Sequence, residues 1–435
     1  KPFKILPFCL LLFLSSHFSF AQTPGDLDLT LNGTGFRVDS SALSENATDV
    51  VVMNDGRIVV AGIRDDGKMQ GFLVRRYLGI GLPDSSLGTL GMIQTTENDI
   101  YFGSTDVAVQ ADGKILLIGT ESDFNKIVVQ RLLVNGQTDT SFANGGRLQL
   151  GYPTGNSSSG QIFVLPNGKI QFTLLLDGSF QAPTLSMIQL LPDGTVDPFF
   201  ANNGTGSMNF PDFVMRINST TRMSDGSLAV TGVVDLSSDQ VVFVAKFDAL
   251  GIPDASFGNG GYMYLPPNSF DIDAWAIASN LAGDLYLTGY NFNSPNNLEI
   301  SVRKISANGQ IDSNYGQGGE LLIGGTGADY HGSALEVDAA GRLILGGMIA
   351  NPDERVMIAR ILPQGQLDPT FGSGGMVAYD LGQPISEARG IAIQPNGHLL
   401  VTGYAIPDGF SPSTFLARLW MGPATTVVDR VSDPF

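Results

Sequence analysis

One cysteine, three histidines and two tryptophans among 435 residues leave this chain with little equipment for thiol or metal chemistry. The cysteine, Cys9, lies in an N-terminal apolar stretch expected to be removed, so the remainder has no disulfide, thiol nucleophile or Cys metal ligand. His17 lies in the same stretch, and His331 and His398 fall in different parts of the chain. No His-x-His or His-Glu-x-x-His spacing occurs, which speaks against a zinc enzyme. A Gly-x-Ser-x-Gly nucleophile elbow is missing too. Basic residues are few: 24 Lys and Arg stand against 42 Asp and Glu. Without Lys1 and Lys4 the balance is 22 to 42, a net charge of −20. Such a field repels nucleic acid and anionic membranes and suits solubility and cation binding.

Long apolar runs are also lacking, except for Ile5–Phe20. That run follows the basic Lys1 and Lys4 and ends at Ser19-Phe20-Ala21, where small residues form a cleavage site. Residues 1–21 therefore read as an export signal, with Gln22 the first mature residue. Ser15, Ser16 and His17 interrupt the run and argue against a membrane anchor. The first residue is Lys in place of Met, so the chain is expected to be incomplete at that end, and residues 421–435 are expected to be a tail or linker. These features predict a secreted, extracellular or cell-surface protein, with the periplasm the other destination.

Glycine and proline, by contrast, are plentiful and evenly spread, at 54 and 23 residues. A turn followed by an apolar run recurs as NDGRIVVAG, ADGKILLIG, PNGKIQFTL, SDGSLAVTG, LAGDLYLTG, AAGRLILGG and PNGHLLVTG. Its glycines are Gly56, Gly113, Gly168, Gly226, Gly283, Gly341 and Gly397, spaced 57, 55, 58, 57, 58 and 56 residues apart. A period that long and regular means radial or solenoidal repetition. Within one period the second unit reads as four short strands: Thr105–Gln110, Lys114–Gly119, Ile127–Val134 and Gly146–Leu150. The first two join through a tight Asp-Gly turn whose glycine supplies a positive φ. The prediction is an all-β, seven-bladed β-propeller of four-stranded blades over residues 22–420. A β-helix, the main rival, would favour shorter coils and parallel pairing.

The phase of the repeat predicts how the ring closes. DLDLTLNGTGFRV near the start matches the fourth-strand segment LDPTFGSGGMV, and the last strand, TFLARLW, has no fourth strand after it. The N-terminal strand is thus expected to complete the last blade and leave no free edge. The segments TDTSFANGG, VQADGKILLIG and VVQRLLVNG resemble the delta-60 repeat, a β-propeller repeat of bacterial secreted and surface proteins. The resemblance spans roughly residues 26–420 and implies architecture and a bacterial surface or secreted setting, with no assigned reaction. LDLTLNGTG and PDSSLGTLG depart from the pattern by losing its aromatic residue, and another copy has Tyr315 in place of Phe.

Six copies place an Asp eight residues after a third-strand position, and that position is basic in all but one of them. The pairs are Arg76 with Asp84, Arg131 with Asp139, Lys246 with Asp254, Lys304 with Asp312 and Arg360 with Asp368. Gln189 stands before Asp197. Arg418 and Asp28 are left as orphans that ring closure would unite. Identical residues in every unit read as a structural joint, since sites seldom repeat throughout an array. The glycine clusters FGSGG, FGNGG and YGQGG have no helix after them, as a phosphate site would require, and are read as turns and bulges.

Function is expected where the copies differ, on the face carrying the long second-to-third-strand and inter-blade loops. Tyr101, Asp271, Asp273, Trp275, Tyr290, Asp329, Tyr330, His331 and Tyr404 are the candidate ligand residues there. His331 is placed in an inter-blade loop, and His398 on the surface. Rings beside polar oxygens suit glycan or protein recognition, and clustered carboxylates would suit calcium, though no EF-hand loop is present. No other cofactor and no catalytic residue are expected. The reading is a monomeric binding or scaffolding module for an extracellular glycan or protein. The alternatives are an extracellular lyase or hydrolase at the mouth of the central channel, by analogy of fold alone, and a spacer without ligand.

Overall fold

A computed structural model describes residues 22–422 apart from 42, 66, 68–69, 96–104, 122–125, 152–156, 177–183, 237–238, 267–273, 295–296, 326, 351–352 and 408–410. Each turn glycine closes the same kind of hairpin. Gly56 N–H donates to the Met53 carbonyl at 2.9 Å, and Met53 N–H to the Arg57 carbonyl at 2.8 Å. All seven turn glycines have φ between 76° and 87°, where a side chain would strain the backbone. The connection is a three-residue loop ending in a left-handed glycine, one residue longer than the tightest Asp-Gly hairpins.

The first unit pairs Ser44–Val52, Ile58–Asp65, Gln70–Tyr77 and Met92–Gln94 antiparallel and in chain order. Four more sheets of the same order begin at Asp106, Ser157, Phe213 and Ala274. In the second unit the strands are Asp106–Val109, Ile115–Thr120, Lys126–Leu132 and Arg147–Gly151, close to the expected bounds. The last seven strands and the first strand of the chain form one eight-stranded sheet with two four-stranded halves. One half begins at Asp329, and the other runs Ile385–Ile393, His398–Ile406, Ser413–Trp420 and then Phe36–Asp39 from the chain start. A single parallel bridge, Glu354 to Ile385, joins the halves. Counting each half as one unit gives the sevenfold period, and the antiparallel pairing rules out a β-helix.

The core lies between units. Seven clusters of buried apolar side chains each draw on two adjacent units, and one of them brings Leu400 and Leu416 against Val50 and Val60. That cluster and the pairing of Phe36–Asp39 with Thr414–Ala417 close the ring. The joint copies an ordinary turn across the chain break. Gly25 N–H donates to the Trp420 carbonyl at 2.8 Å and Trp420 N–H to the Asp26 carbonyl at 2.9 Å. Within the sixth unit Gly365 bonds Leu362, and Leu362 bonds Gln366, in the same way at 2.9 and 2.7 Å.

The first strand of each unit packs against its counterparts in the neighbouring units, so these strands ring the axis. Their side chains knit the units together. Thr48 Oγ1 donates to the Thr105 carbonyl at 2.8 Å, and Asp106 accepts from Ile162 N–H at 2.8 Å. Gln161 accepts from Thr220 N–H, Asn218 donates to the Ala274 carbonyl at 2.9 Å, and Ser333 donates to the Ala388 carbonyl.

Candidate functional site

The repeated basic–acidic positions meet at the joint between third and fourth strands. Nε of Arg76, Arg131 and Arg360 donates to Asp84, Asp139 and Asp368 at 2.7, 2.9 and 2.8 Å. Nζ of Lys246 and Lys304 lies 2.9 and 3.0 Å from Asp254 and Asp312. Across the ring closure, Arg418 Nε reaches Asp28 at 2.6 Å. Where Gln189 stands in for a base it donates to Asp197 at 2.6 Å, and Lys169 supplies the cation at 2.7 Å. The other carboxylate oxygen receives the backbone N–H two residues on, as Asp368 does from Thr370 at 2.9 Å. Each arginine also ties its unit to the next: Arg360 Nη1 donates to the Met421 carbonyl at 2.6 Å and Arg418 Nη1 to the Gly79 carbonyl at 2.6 Å. The Asp84 carboxyl sits well below the usual range: burial opposes this, and bonds from Ser86, Arg57 and Arg76 outweigh it. Every donor and acceptor named here is engaged within the fold, which leaves these groups little capacity for a ligand.

His398 departs from the surface position expected for it. Burial leaves its side chain 19% exposed, and its Nε2 lies 3.3 Å from Asp28 at the closing joint. It occupies the place after the turn glycine where Arg57 and Lys169 reach Asp84 and Asp197 at 3.1 and 2.7 Å.

Of the ligand candidates, Tyr101, Asp271 and Asp273 lie outside the described residues. The other six sit on strands, because the first and second strands run on into the segments read as loops. His331, expected in a loop, belongs to the first strand of the sixth unit, Asp329–Val337. Asp329 accepts from Leu298 N–H at 2.8 Å and so fastens that strand to the fifth unit. Tyr330 packs against the core between the fifth and sixth units.

Trp275, Tyr290 and His331 come together. The Trp275 and Tyr290 rings are tilted with centroids 5.7 Å apart, and Tyr290 meets the His331 ring edge-on at 4.9 Å. Tyr290 Oη lies 3.0 Å from His331 Nδ1, so phenol and imidazole share a hydrogen bond across the unit boundary. Trp275 is 37% exposed. In the seventh unit Tyr404 Oη donates to Glu387 at 2.9 Å, and Arg389 Nη2 donates to the same carboxylate oxygen at 2.9 Å. The Arg389 guanidinium stands over the Tyr404 ring at 5.6 Å. Burial opposes its charge, but Glu387, Tyr404 and Tyr290 outweigh that and hold its pKa above the ordinary arginine value. Burial first, and then the Glu387 carboxylate, push the Tyr404 phenol up to about 12. The inner strand of the sixth unit, which carries His331, packs between those of the fifth and seventh units, which carry Trp275 and Arg389.

Glu387 and Arg389 were missed in the sequence. Arg389 carried a usable signal: it lies eight residues before its turn glycine, where Thr48, Thr105, Asn218 and Ser333 stand in other units. Among the described residues no three His, Cys, Asp or Glu side chains are placed to hold a metal. The first and second strands of the fifth, sixth and seventh units thus carry aromatic faces, one imidazole, one guanidinium and one carboxylate among the described residues.

A family model described as a domain of unknown function (DUF5122) with a β-propeller fold matches residues 110–142. No curated protein sequence matches the chain. Among solved structures, the polysaccharide lyase Uly1 superimposes with a TM-score of 0.53 at 13% identity, covering 86% of this chain and 90% of its own. A Dyadobacter fermentans protein of unknown function gives 0.44 at 10%, covering 89% and 99%. An ulvan lyase gives 0.46 at 9%, covering 88% and 96%. At such identities the likeness shows the fold, and the chain is a β-propeller of four-stranded blades closed by its N-terminal strand.

Proposed function

We propose that this chain is an exported propeller of the delta-60 type that recognises an extracellular glycan through the sector formed by its fifth, sixth and seventh units. The observation that carries the reading is the group of Trp275, Tyr290 and His331, with Trp275 exposed and the rings held at 4.9 and 5.7 Å. Aromatic faces beside fixed polar groups suit a sugar ring, whose C–H face packs on the ring while its hydroxyls bond at the edge. Export is supported by the character of residues 1–21. Binding to an array of polysaccharides, compared between the parent and Trp275→Ala, tests the reading. The parent should retain at least one glycan and the variant should lose it; a parent that binds only protein, or nothing, would overturn it.

The phenol–imidazole contact at 3.0 Å supports a second reading, a lyase or hydrolase, because such a pair can exchange a proton with a substrate held beside it. Incubating a bound glycan with the protein decides between them. Cleavage that disappears in Tyr290→Phe while binding persists would favour the enzyme, and an intact glycan would favour the module.

A further inference from the structure

The inner strands follow a rule that two units break. In five of the seven units, a side chain seven or eight residues before the turn glycine bonds the backbone of the next inner strand. In the fifth unit these places hold Trp275 and Ala276, and in the seventh Arg389 and Gly390. Alanine and glycine cannot make the bond. At Gly390 the backbone itself closes on the first unit, where an added Cβ would stand 2.7 Å from Asp49 Cα. Trp275 and Arg389 are thus released from joining units, and both belong to the sector that holds Tyr290 and His331.

Arg389 is the informative one. The basic residues at the third-strand joints are committed to their aspartates, whereas Arg389 lies on the inner wall and its side chain is 36% exposed. Its Nη2 meets Glu387, and its Nε is buried without a hydrogen-bond partner among the described residues, so a ligand would meet the outer edge of the guanidinium. Glu387 and Tyr404 hold the guanidinium in place without enclosing it. A second cation, Arg216 of the fourth unit, lies on the inner strand beside that of Trp275 and donates to Asn218 at 3.1 Å. The inner strands of the fourth to seventh units therefore carry, in order, Arg216, Trp275, His331 and Arg389 on a chain that is otherwise strongly acidic. The overall negative field is screened beyond about 8 Å at physiological salt, so a local guanidinium can still set the preference of the site. A fixed guanidinium beside an aromatic platform matches a sugar that carries a carboxylate, since the planar fork pairs with the carboxylate while the ring is stacked.

We infer that this sector selects carboxylated glycans, chains containing uronic acid, with Arg389 reading the carboxylate and Trp275 and Tyr290 stacking the ring. The inference rests on the glycan-binding reading above. Titration calorimetry with oligogalacturonate, oligoalginate and oligoglucuronan, each beside its carboxyl-reduced form, tests it. At least one acidic oligomer should bind tenfold or more tightly than its reduced form. Arg389→Gln should abolish that preference while keeping the binding of the reduced form, and Arg389→Lys should retain part of it, with thermal melting confirming that both variants fold. Equal affinity for acidic and reduced forms, or an unchanged preference in Arg389→Gln, overturns the inference and leaves glycan binding standing. Should none of the oligomers bind in either form, the inference fails, and an empty polysaccharide array would bring down the broader reading with it.

Discussion

Arg360 shows how much one side chain does in this fold. It bonds Asp368 through Nε and Thr370 through Nη2, reaches Met421 of the next unit through Nη1, and lies 4.8 Å over the Phe371 ring. With its side chain 1% exposed, removing it strands a buried carboxylate. Arg360→Met should cost about 3–5 kcal/mol in urea denaturation. Lys304→Met, at a pair whose side chains are 16% and 25% exposed, should cost about 1 kcal/mol or less. Equal losses at the two sites would refute this account of the joint. His398 adds a pH dependence at the closing joint. Burial depresses its pKa below the ordinary 6.5; Asp28 pulls the other way, and Arg418 adds to the depression. The unfolded chain therefore takes up this proton first, and stability falls as pH drops from about 6.5 toward the depressed folded value. Urea midpoints followed from neutral pH into that window should decline more steeply in the parent than in His398→Gln.

At the scale of one element, the turn after each repeated Asp needs a left-handed residue four places on. Four units use glycine there, with φ of 51° to 57°, while Asn32, Ala143 and Ala201 adopt 53°, 47° and 45°. Alanine in that conformation is strained by about 1–2 kcal/mol, of which glycine's extra freedom in the unfolded chain takes back part. Ala143→Gly should therefore raise stability by roughly 0.5–1 kcal/mol, read as a higher melting temperature. The reverse change, Gly372→Ala, should lower it further than that, because the new Cβ would stand 2.3 Å from Val377 Cγ1 and 2.4 Å from the Met376 carbonyl. An unaltered melt in both variants would show that the turn does not hold this strain.

For the whole molecule, closure depends on two segments almost 400 residues apart. Arg418 donates to Asp28, and Met421 and Pro24 stand where Pro363 and Gln364 are joined by a peptide bond in the sixth unit. A circular permutant that joins Met421 directly to Pro24 and opens the chain at residues 40–43 should fold as a monomer at least as stable as the parent. Deleting residues 22–39 should expose Ser413–Trp420 as a free edge strand, abolish the cooperative melt and produce aggregates on gel filtration. A deletion variant that melts like the parent would mean that the N-terminal strand is dispensable.

The sequence by itself determined what recurs at a fixed offset. Turn glycines 55 to 58 residues apart, a basic residue eight places before five of the seven repeated Asp, and the match between DLDLTLNGTG and LDPTFGSGG specified strand order, joints and ring closure. Each of these interactions lies within one unit or between equivalent places of two, so a repeat displays it several times over. Only the tertiary structure decided which candidate side chains meet. Trp275 and Arg389 share an offset from their turn glycines, but Tyr290 and His331 meet Trp275, and Glu387 and Tyr404 meet Arg389, only through strand pairing and the packing of adjacent units. It also separated them from Asp329 and Tyr330, which look alike in sequence but serve a backbone amide and the core. The physical reason is that repeated contacts are local to a unit, whereas a binding surface is assembled from the few places where adjacent units differ.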